Sequence, residues 1–383
     1  MSSVLRNTSP VPAKLTLLAA ALAVFVAACS RDQAPPVAAA PEPAPVPAQP
    51  AAATPPAADA QMQAVLDQLA TLGAKPLETL TPEQARAQPS PADAVGAVLK
   101  AQGKPTKPEV VAKVEDSTFP GPAGPVDIRI YTPEGSGPMP VILYIHGGGW
   151  VIANLDVYDA SPRALANAAK AIVVSTHYRQ GPEDKFPAAH EDTLAAYKWL
   201  LANAAKLGGD ATRIAVVGES AGGNLAANIA IAARDQKLQA PLAQVLVYPI
   251  ANDDMNSPSY IENASAKPLS KPAMEWFVKY AFNAPTETAD PRIALAKRTD
   301  LAGLPPATII LAQIDPLRSD GEAFADALRA ASVPVTVQQY DGVAHEFFGM
   351  AAVIDKAKQA QQFAGEKLRA AFAIAPAPAT PAK

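Results

Sequence analysis

Two segments carry residues suited to acyl transfer: Gly218-Glu219-Ser220-Ala221-Gly222-Gly223, and upstream of it His146-Gly147-Gly148-Gly149-Trp150. A serine on a Gly-x-Ser-x-Gly turn is pushed out at the top of a sheet, and a glycine run ending a strand offers backbone N–H groups to a developing oxyanion. Together they supply both halves of an acyl-transfer site. The serine motif alone is weak, and its flanks give it weight. Residues 213–217 are a short apolar run, and 224–233 place Leu225, Ile229 and Ala232 on one helical face, so strand, tight turn and helix stand in the required order. A glycine run after a strand can also cradle phosphate. This one lacks both the Lys-Ser/Thr ending of a P-loop and a Gly-x-Gly-x-x-Gly spacing, and it leads into Trp150-Val151-Ile152 rather than a capped helix.

A serine hydroxyl is a poor nucleophile until a base takes its proton, and the base needs a carboxylate to hold its tautomer. Where such a serine turn joins a strand to a helix in an α/β sheet, the acid and then the base follow the serine along the chain. Of the four histidines, His146, His177, His190 and His345, only His345 lies after Ser220, so elimination makes it the base. It is expected on a loop after an alternating strand over 333–340. For the acid, position decides. Residues 308–312 form an apolar strand, and Asp315-Pro316-Leu317 comes at its C-terminal end, where open α/β sheets build their sites. Pro316 removes an N–H and pushes Asp315 out of the helical region, so the carboxylate is presented from a turn. Asp320, with Ser319, reads as the cap of a helix over 322–331. Asp300 and Asp341 read as turn residues.

The elements that must position these groups follow from periodicity. With 383 residues, 49% hydrophobic and 18% charged, the chain can form one large α/β domain. Strands are expected at 110–118, 126–131, 141–145, 171–176, 213–217, 244–248, 308–312 and 335–340, with helices between them from the third onward. That pattern predicts a mostly parallel eight-stranded sheet flanked by helices. Ahead of it, 62–73 places Val65, Leu66, Leu69 and Leu72 at helical spacing, and Thr81-Pro82-Glu83 opens another helix with a cap and an N1 proline. An insertion over 252–291 carries Trp276, Phe277 and Tyr280 on a helix, and those aromatics read as core rather than substrate contacts.

The ends are different material. Arg6 and Lys14 precede an apolar run over 15–28, short of the ~20 residues that span a bilayer, which fits a secretory signal. Val26-Ala27-Ala28-Cys29 resembles a bacterial lipobox, which implies that Cys29, the only cysteine, is lipidated and becomes the mature N-terminus. Ser30 after it resembles outer-membrane sorting. Residues 34–58 are almost wholly Ala and Pro, a composition that stays extended as a spacer. The expected organisation is a signal over 1–28, lipidated Cys29 with a spacer over 29–60, a helical region over 61–108, a catalytic domain over 109–374 and an Ala/Pro tail over 375–383. Such a protein would sit lipid-anchored in the cell envelope, facing the periplasm, with membrane contact through its N-terminus. A formal net charge of −4 and no basic face argue against nucleic acid as a partner.

The set of motifs resembles the bacterial hormone-sensitive-lipase-like (family IV) carboxylesterases of the α/β-hydrolase fold. The resemblance covers residues 62–372 and rests on the two segments above, Tyr178-Arg179 with Pro182-Glu183, Phe186-Pro187-Ala188-Ala189, Asp315-Pro316-Leu317-Arg318 and Gly342 to Phe348. It implies a triad of Ser220, Asp315 and His345, oxyanion N–H groups from Gly148, Gly149 and Ala221, and an N-terminal helical cap over the substrate pocket. It also implies a small-molecule ester of short to medium acyl chain as substrate, no metal and no organic cofactor, and it leaves a homo-oligomer open. An acyltransferase or amidase could use the same triad, and a catalytically silent envelope binding lipoprotein could keep the fold. Glu219, His177, Gln180-Gly181 and Glu346 depart from the family's usual residues, and Glu346 places a negative charge beside His345. Three adjacent glycines suggest room for esters of bulky alcohols.

Overall fold

The apolar runs form eight strands: β1 (Lys113–Gly121), β2 (Gly124–Thr132), β3 (Met139–Ile145), β4 (Ile172–Thr176), β5 (Gly209–Glu219), β6 (Gln244–Val247), β7 (Ala307–Ile314) and β8 (Val335–Ala344). In the computed structural model, which describes residues 56–373, they make one sheet ordered β1-β2-β4-β3-β5-β6-β7-β8. β1 and β2 pair antiparallel, as do β2 and β4, and all later pairs are parallel. The mostly parallel eight-stranded sheet expected from the sequence is thus observed. Cys29, the signal over 1–28, most of the 29–60 spacer and the 375–383 tail lie outside the described residues.

Ten helices accompany the sheet among the described residues: α1 (Ala60–Thr71), α2 (Pro82–Ala87), α3 (Pro91–Ala101), α4 (Ala160–Ala169), α5 (Ala188–Asn203), α6 (Ala221–Asp235), α7 (Pro258–Glu262), α8 (Lys271–Ala281), α9 (Arg318–Ala330) and α10 (Asp355–Ala373). The central strands are apolar on both faces because both faces are covered. Along β3, Val141, Leu143 and Ile145 join one buried cluster with Leu225 of α6 and Phe324 of α9. Ile142 and Tyr144 join the other with Leu165 of α4 and Leu368 of α10. No helix among the described residues is long and apolar enough to cross a membrane.

Several expectations need correction. The first strand begins at Lys113, and Val110 is exposed. α3 was not foreseen, although a capping box announces it: Ser90 Oγ accepts from Asp93 N while Asp93 accepts from Ser90 N. α6 starts at Ala221, and Ala226, Ala230 and Ala233 are buried as well as Leu225 and Ile229, so its apolar surface wraps beyond one face while Ala232 is only half-buried. α9 starts at Arg318, which places Asp320 inside its first turn rather than at a cap. Asp341 lies within β8, because that strand runs on to Ala344.

The extension of β8 matters most for the site. β7 and β8 pair regularly up to Ala312 with Tyr340, shift register, and meet again at Ile314 with Ala344. The irregularity absorbs Asp341, Gly342 and Val343 on one strand against Gln313 on the other, and Gln313 Oε1 accepts the freed Gly342 N–H at 2.8 Å. Asp315 and His345 are therefore the next residues on two neighbouring strands that leave the sheet at the same level.

Candidate active site

Ser220 occupies the corner between β5 and α6 with φ 57 and ψ −120, a left-handed backbone that a serine rarely adopts. The corner is held by Ser220 N–H donating to Val247 O at 2.9 Å and by close backbone approach around it. A Cβ at Gly218 would overlap the backbone of Gly222, and one at Gly222 would overlap the carbonyls of Ile145 and His146. Strain at such a turn persists only when its surroundings over-determine it, and here it lifts the hydroxyl above the strand ends.

The structure brings the three sequence-selected side chains together. His345 Nε2 lies 3.0 Å from Ser220 Oγ, and His345 Nδ1 lies 2.7 Å from Asp315 Oδ2. Asp315 Oδ1 accepts from Leu317 N at 2.9 Å, which fixes the carboxylate plane, and Asn263 donates to the Asp315 carbonyl at 3.3 Å. All three are buried, and the Tyr248 ring lies 4.4 Å from the imidazole, centre to centre. Burial alone would disfavour an imidazolium at His345, but the Asp315 carboxylate overrides it and, with Glu346 and Glu219, raises the pKa above the ordinary value. The group is poised to accept and hold a proton.

Gly148 and Gly149 line the space in front of Ser220, and Ala221 opens α6 immediately behind it. Among the described residues no protein acceptor takes the N–H groups of Gly148, Gly149 or Ala221. The Ala221 N–H also stands at a helix N-terminus, where the backbone dipole favours negative charge. The glycine loop is braced from behind. Tyr178 OH donates to the carbonyls of His146 and Gly147, His146 Nε2 meets His177 Nδ1 at 3.0 Å, and Gln180 donates to Ile152 O at 2.7 Å. His177 and Gln180, two of the unusual residues, thus serve the loop rather than the reacting atoms. A Cβ at Gly148 would strike Ile152 O and one at Gly149 would strike the Phe277 ring, so glycine is what lets the loop pack this closely against both.

A cavity of about 930 Å³ opens over the serine, with Leu66 and Leu69 of α1, Val157, Ile250, and Met274 and Phe277 of α8 among its walls. That is near the upper end for a small-molecule site. Arg86 of α2 fastens the N-terminal helices beside it by donating to Val151 O, to Gly181 O and to both oxygens of Glu183. Phe277, expected as core, is both buried and a wall of the cavity, whereas Trp276 is core and donates to Leu80 O at 2.8 Å.

The roles of Glu219, Asp320 and Tyr158 emerge only from the fold. Glu219 is buried and accepts from Tyr144 OH at 2.6 Å and Tyr248 OH at 2.5 Å; burial pushes its carboxyl up to about 7 against those two donors. Asp320 is buried, with its pKa raised by burial against the amide N–H groups of Ala251 and Asn252 that it accepts, so it ties the loop after β6 to α9. Tyr158 donates to both oxygens of Glu346, at 2.7 and 2.8 Å. None of these contacts has a local signal, since each joins residues far apart in the chain.

The geometry has close counterparts. A family model described as the alpha/beta hydrolase fold matches residues 142–349. The esterase LipI of Mycobacterium tuberculosis is 41% identical over 261 residues, 67% of this chain and 81% of the relative. The ethyl acetate hydrolase of Pseudomonas putida is 34% identical over 288 residues, 74% of this chain and 88% of the relative. Among solved structures, the hyperthermophilic esterase of Pyrobaculum calidifontis superposes with a TM-score of 0.74 at 35% identity, covering 83% of this chain and 100% of the other. With the family model spanning more than half the chain and these relatives matched over most of their length, the chain belongs to the alpha/beta-hydrolase family, among its hormone-sensitive-lipase-like carboxylesterases.

Proposed function

We propose that this chain is a serine carboxylesterase that cleaves esters of short to medium acyl chains through an acyl-enzyme on Ser220. One observation carries the reading: a single buried imidazole, that of His345, lies 3.0 Å from Ser220 Oγ and 2.7 Å from Asp315 Oδ2. His345 takes the proton as Oγ attacks the ester carbonyl, and Asp315 stabilises the imidazolium. The N–H groups of Gly148, Gly149 and Ala221 receive the oxyanion. The imidazolium then protonates the departing alcohol, and water releases the acid. Aliphatic walls over the serine support an apolar acyl group, and the Pseudomonas putida relative is named for hydrolysis of ethyl acetate, a small ester. A fluorophosphonate probe is expected to label the protein one to one at Ser220, and p-nitrophenyl esters of increasing acyl length should show kcat/KM declining beyond medium chains. Absence of labelling, or a rate that keeps climbing to palmitate, refutes the corresponding half of the reading.

We further propose that Cys29 is lipidated and tethers the enzyme, by its Ala/Pro spacer, to the periplasmic face of the outer membrane. The support is the apolar run that ends in Val26-Ala27-Ala28-Cys29-Ser30 behind Arg6 and Lys14. Mass spectrometry of the mature N-terminus is expected to find a diacylglyceryl group on Cys29, and Cys29→Ala should remove mature enzyme from the membrane fraction. An unmodified Cys29 in the mature protein overturns the anchor.

A further inference from the structure

Glu346 is costly to keep where it is. It stands directly after His345 at φ 72, the left-handed region that a glutamate seldom adopts, and its carboxyl faces the His345 imidazole. Its two oxygens accept from Tyr158 OH at 2.7 and 2.8 Å, which fixes the group. Oε1 lies 3.8 Å from His345 Nε2, the same nitrogen that faces Ser220 Oγ at 3.0 Å. About a fifth of the Glu346 side chain, 21%, remains open, and Glu346 is a wall of the catalytic cavity; the Asp315 side chain, by contrast, is wholly buried. The tautomer of His345 is already set by Asp315 through Nδ1. What the Glu346 carboxylate reaches is the space in front of Nε2.

We propose that Glu346, held by Tyr158, positions the water that releases the acyl group from Ser220, and so makes water rather than an alcohol the preferred acyl acceptor. The proposal rests on the acyl-enzyme reading above. In deacylation the water oxygen bonds to the acyl carbon as one of its hydrogens passes to His345 Nε2. That proton then moves to Ser220 Oγ as the carbon–Oγ bond breaks, and the carboxylic acid leaves. The second hydrogen stays on the attacking oxygen throughout and needs an acceptor. A water that donates two hydrogen bonds of about 2.8 Å at a near-tetrahedral angle holds its acceptors about 4.5 Å apart. The 3.8 Å between Nε2 and Oε1 is shorter, so a water bonded to both closes that angle to somewhat under a right angle.

An alcohol has only one such hydrogen. After donating it to His345, an alcohol turns its alkyl group toward the Glu346 carboxylate, which gains no hydrogen bond and loses hydration. Acylation does not use the second acceptor, because the departing alkoxide needs only the proton on His345. Glu346 therefore acts on the fate of the acyl-enzyme, as a positioning residue for its nucleophile.

The test is acceptor partition. Wild type, Glu346→Gln and Glu346→Gly are given p-nitrophenyl butyrate in buffer containing 1-propanol, and butyrate and propyl butyrate are measured by gas chromatography. The acid-to-ester ratio depends only on what happens to the acyl-enzyme, so a partly unfolded variant still reports it. Glycine also relieves the left-handed strain at this position, and glutamine keeps the volume while removing the charge. The ratio is expected to fall roughly tenfold in Glu346→Gly, the effect of one charge-assisted hydrogen bond, and at least about threefold in Glu346→Gln. A ratio in Glu346→Gln equal to that of the wild type overturns the proposal, whether or not the glycine variant changes, because space rather than charge would then decide. Such a result leaves the acyl-enzyme intact. Failure of the fluorophosphonate to label Ser220 would remove both together.

Discussion

Asp315→Asn is expected to lower kcat by about 10⁴-fold while leaving the fold and substrate affinity nearly unchanged. The direction follows from which atoms are pinned. Oδ1 accepts from the Leu317 N–H, so an asparagine keeps its carbonyl oxygen there and turns its NH₂ toward His345 Nδ1. An NH₂ group facing Nδ1 makes that nitrogen an acceptor and moves the ring proton to Nε2. The nitrogen 3.0 Å from Ser220 Oγ is then a donor, unable to take the serine proton. The pH profile should change as well. His345 must be neutral to act, and its folded-state pKa is raised chiefly because the Asp315 carboxylate outweighs burial. In the wild type, activity is lost as pH falls through a value above that of an ordinary imidazole, about 6.5. Without the carboxylate that limb should move to lower pH. Steady-state kinetics over pH 5–9 measures both effects, and a variant within tenfold of wild-type kcat rules out Asp315 as the orienting acid.

Gly222→Ala is expected to destabilise the protein by about 3 kcal/mol or more, toward the severe end for one added methyl. The new Cβ would overlap the Ile145 and His146 carbonyls, which are backbone and cannot rotate aside. Relief requires the first turn of α6 to part from the end of β3. That movement would separate Ala221 from Gly148 and Gly149, so the residual folded enzyme should also lose activity. Gly96→Ala in α3 is the control: a Cβ there meets nothing within 4 Å, and the change should stabilise by about 0.4–1 kcal/mol by restricting the unfolded chain. Urea unfolding of the two variants compares them directly. Equal midpoints would mean that the close approach at Gly222 carries no weight.

Much of this site was legible because its parts are local. The turn at Ser220 needs glycines on both sides, the oxyanion loop needs a glycine run after a strand, and chain order leaves one histidine to serve as base. Of Asp315 and Asp320, only Asp315 meets His345. Asp320 is a buried tie between a loop and α9 rather than a cap, and an expected helix start four residues late concealed this. Phe277 was read as core, and its place in the cavity wall depends on how α8 lies over the glycine loop.

Nucleophile turns, apolar strands and helix caps are short-range patterns, so the chemistry on offer and the kind of sheet that carries it can be read along the chain. The level at which the groups meet is set only when the strands pair. The register shift between β7 and β8 brings Ile314 opposite Ala344 and so sends Asp315 and His345 out side by side. Tertiary structure also decided that Tyr158 would fix Glu346 beside the base, a contact spanning 188 residues. Hydrogen bonds of that reach leave no trace in local periodicity, since they depend on how strands pair and helices pack rather than on the preferences of neighbouring residues.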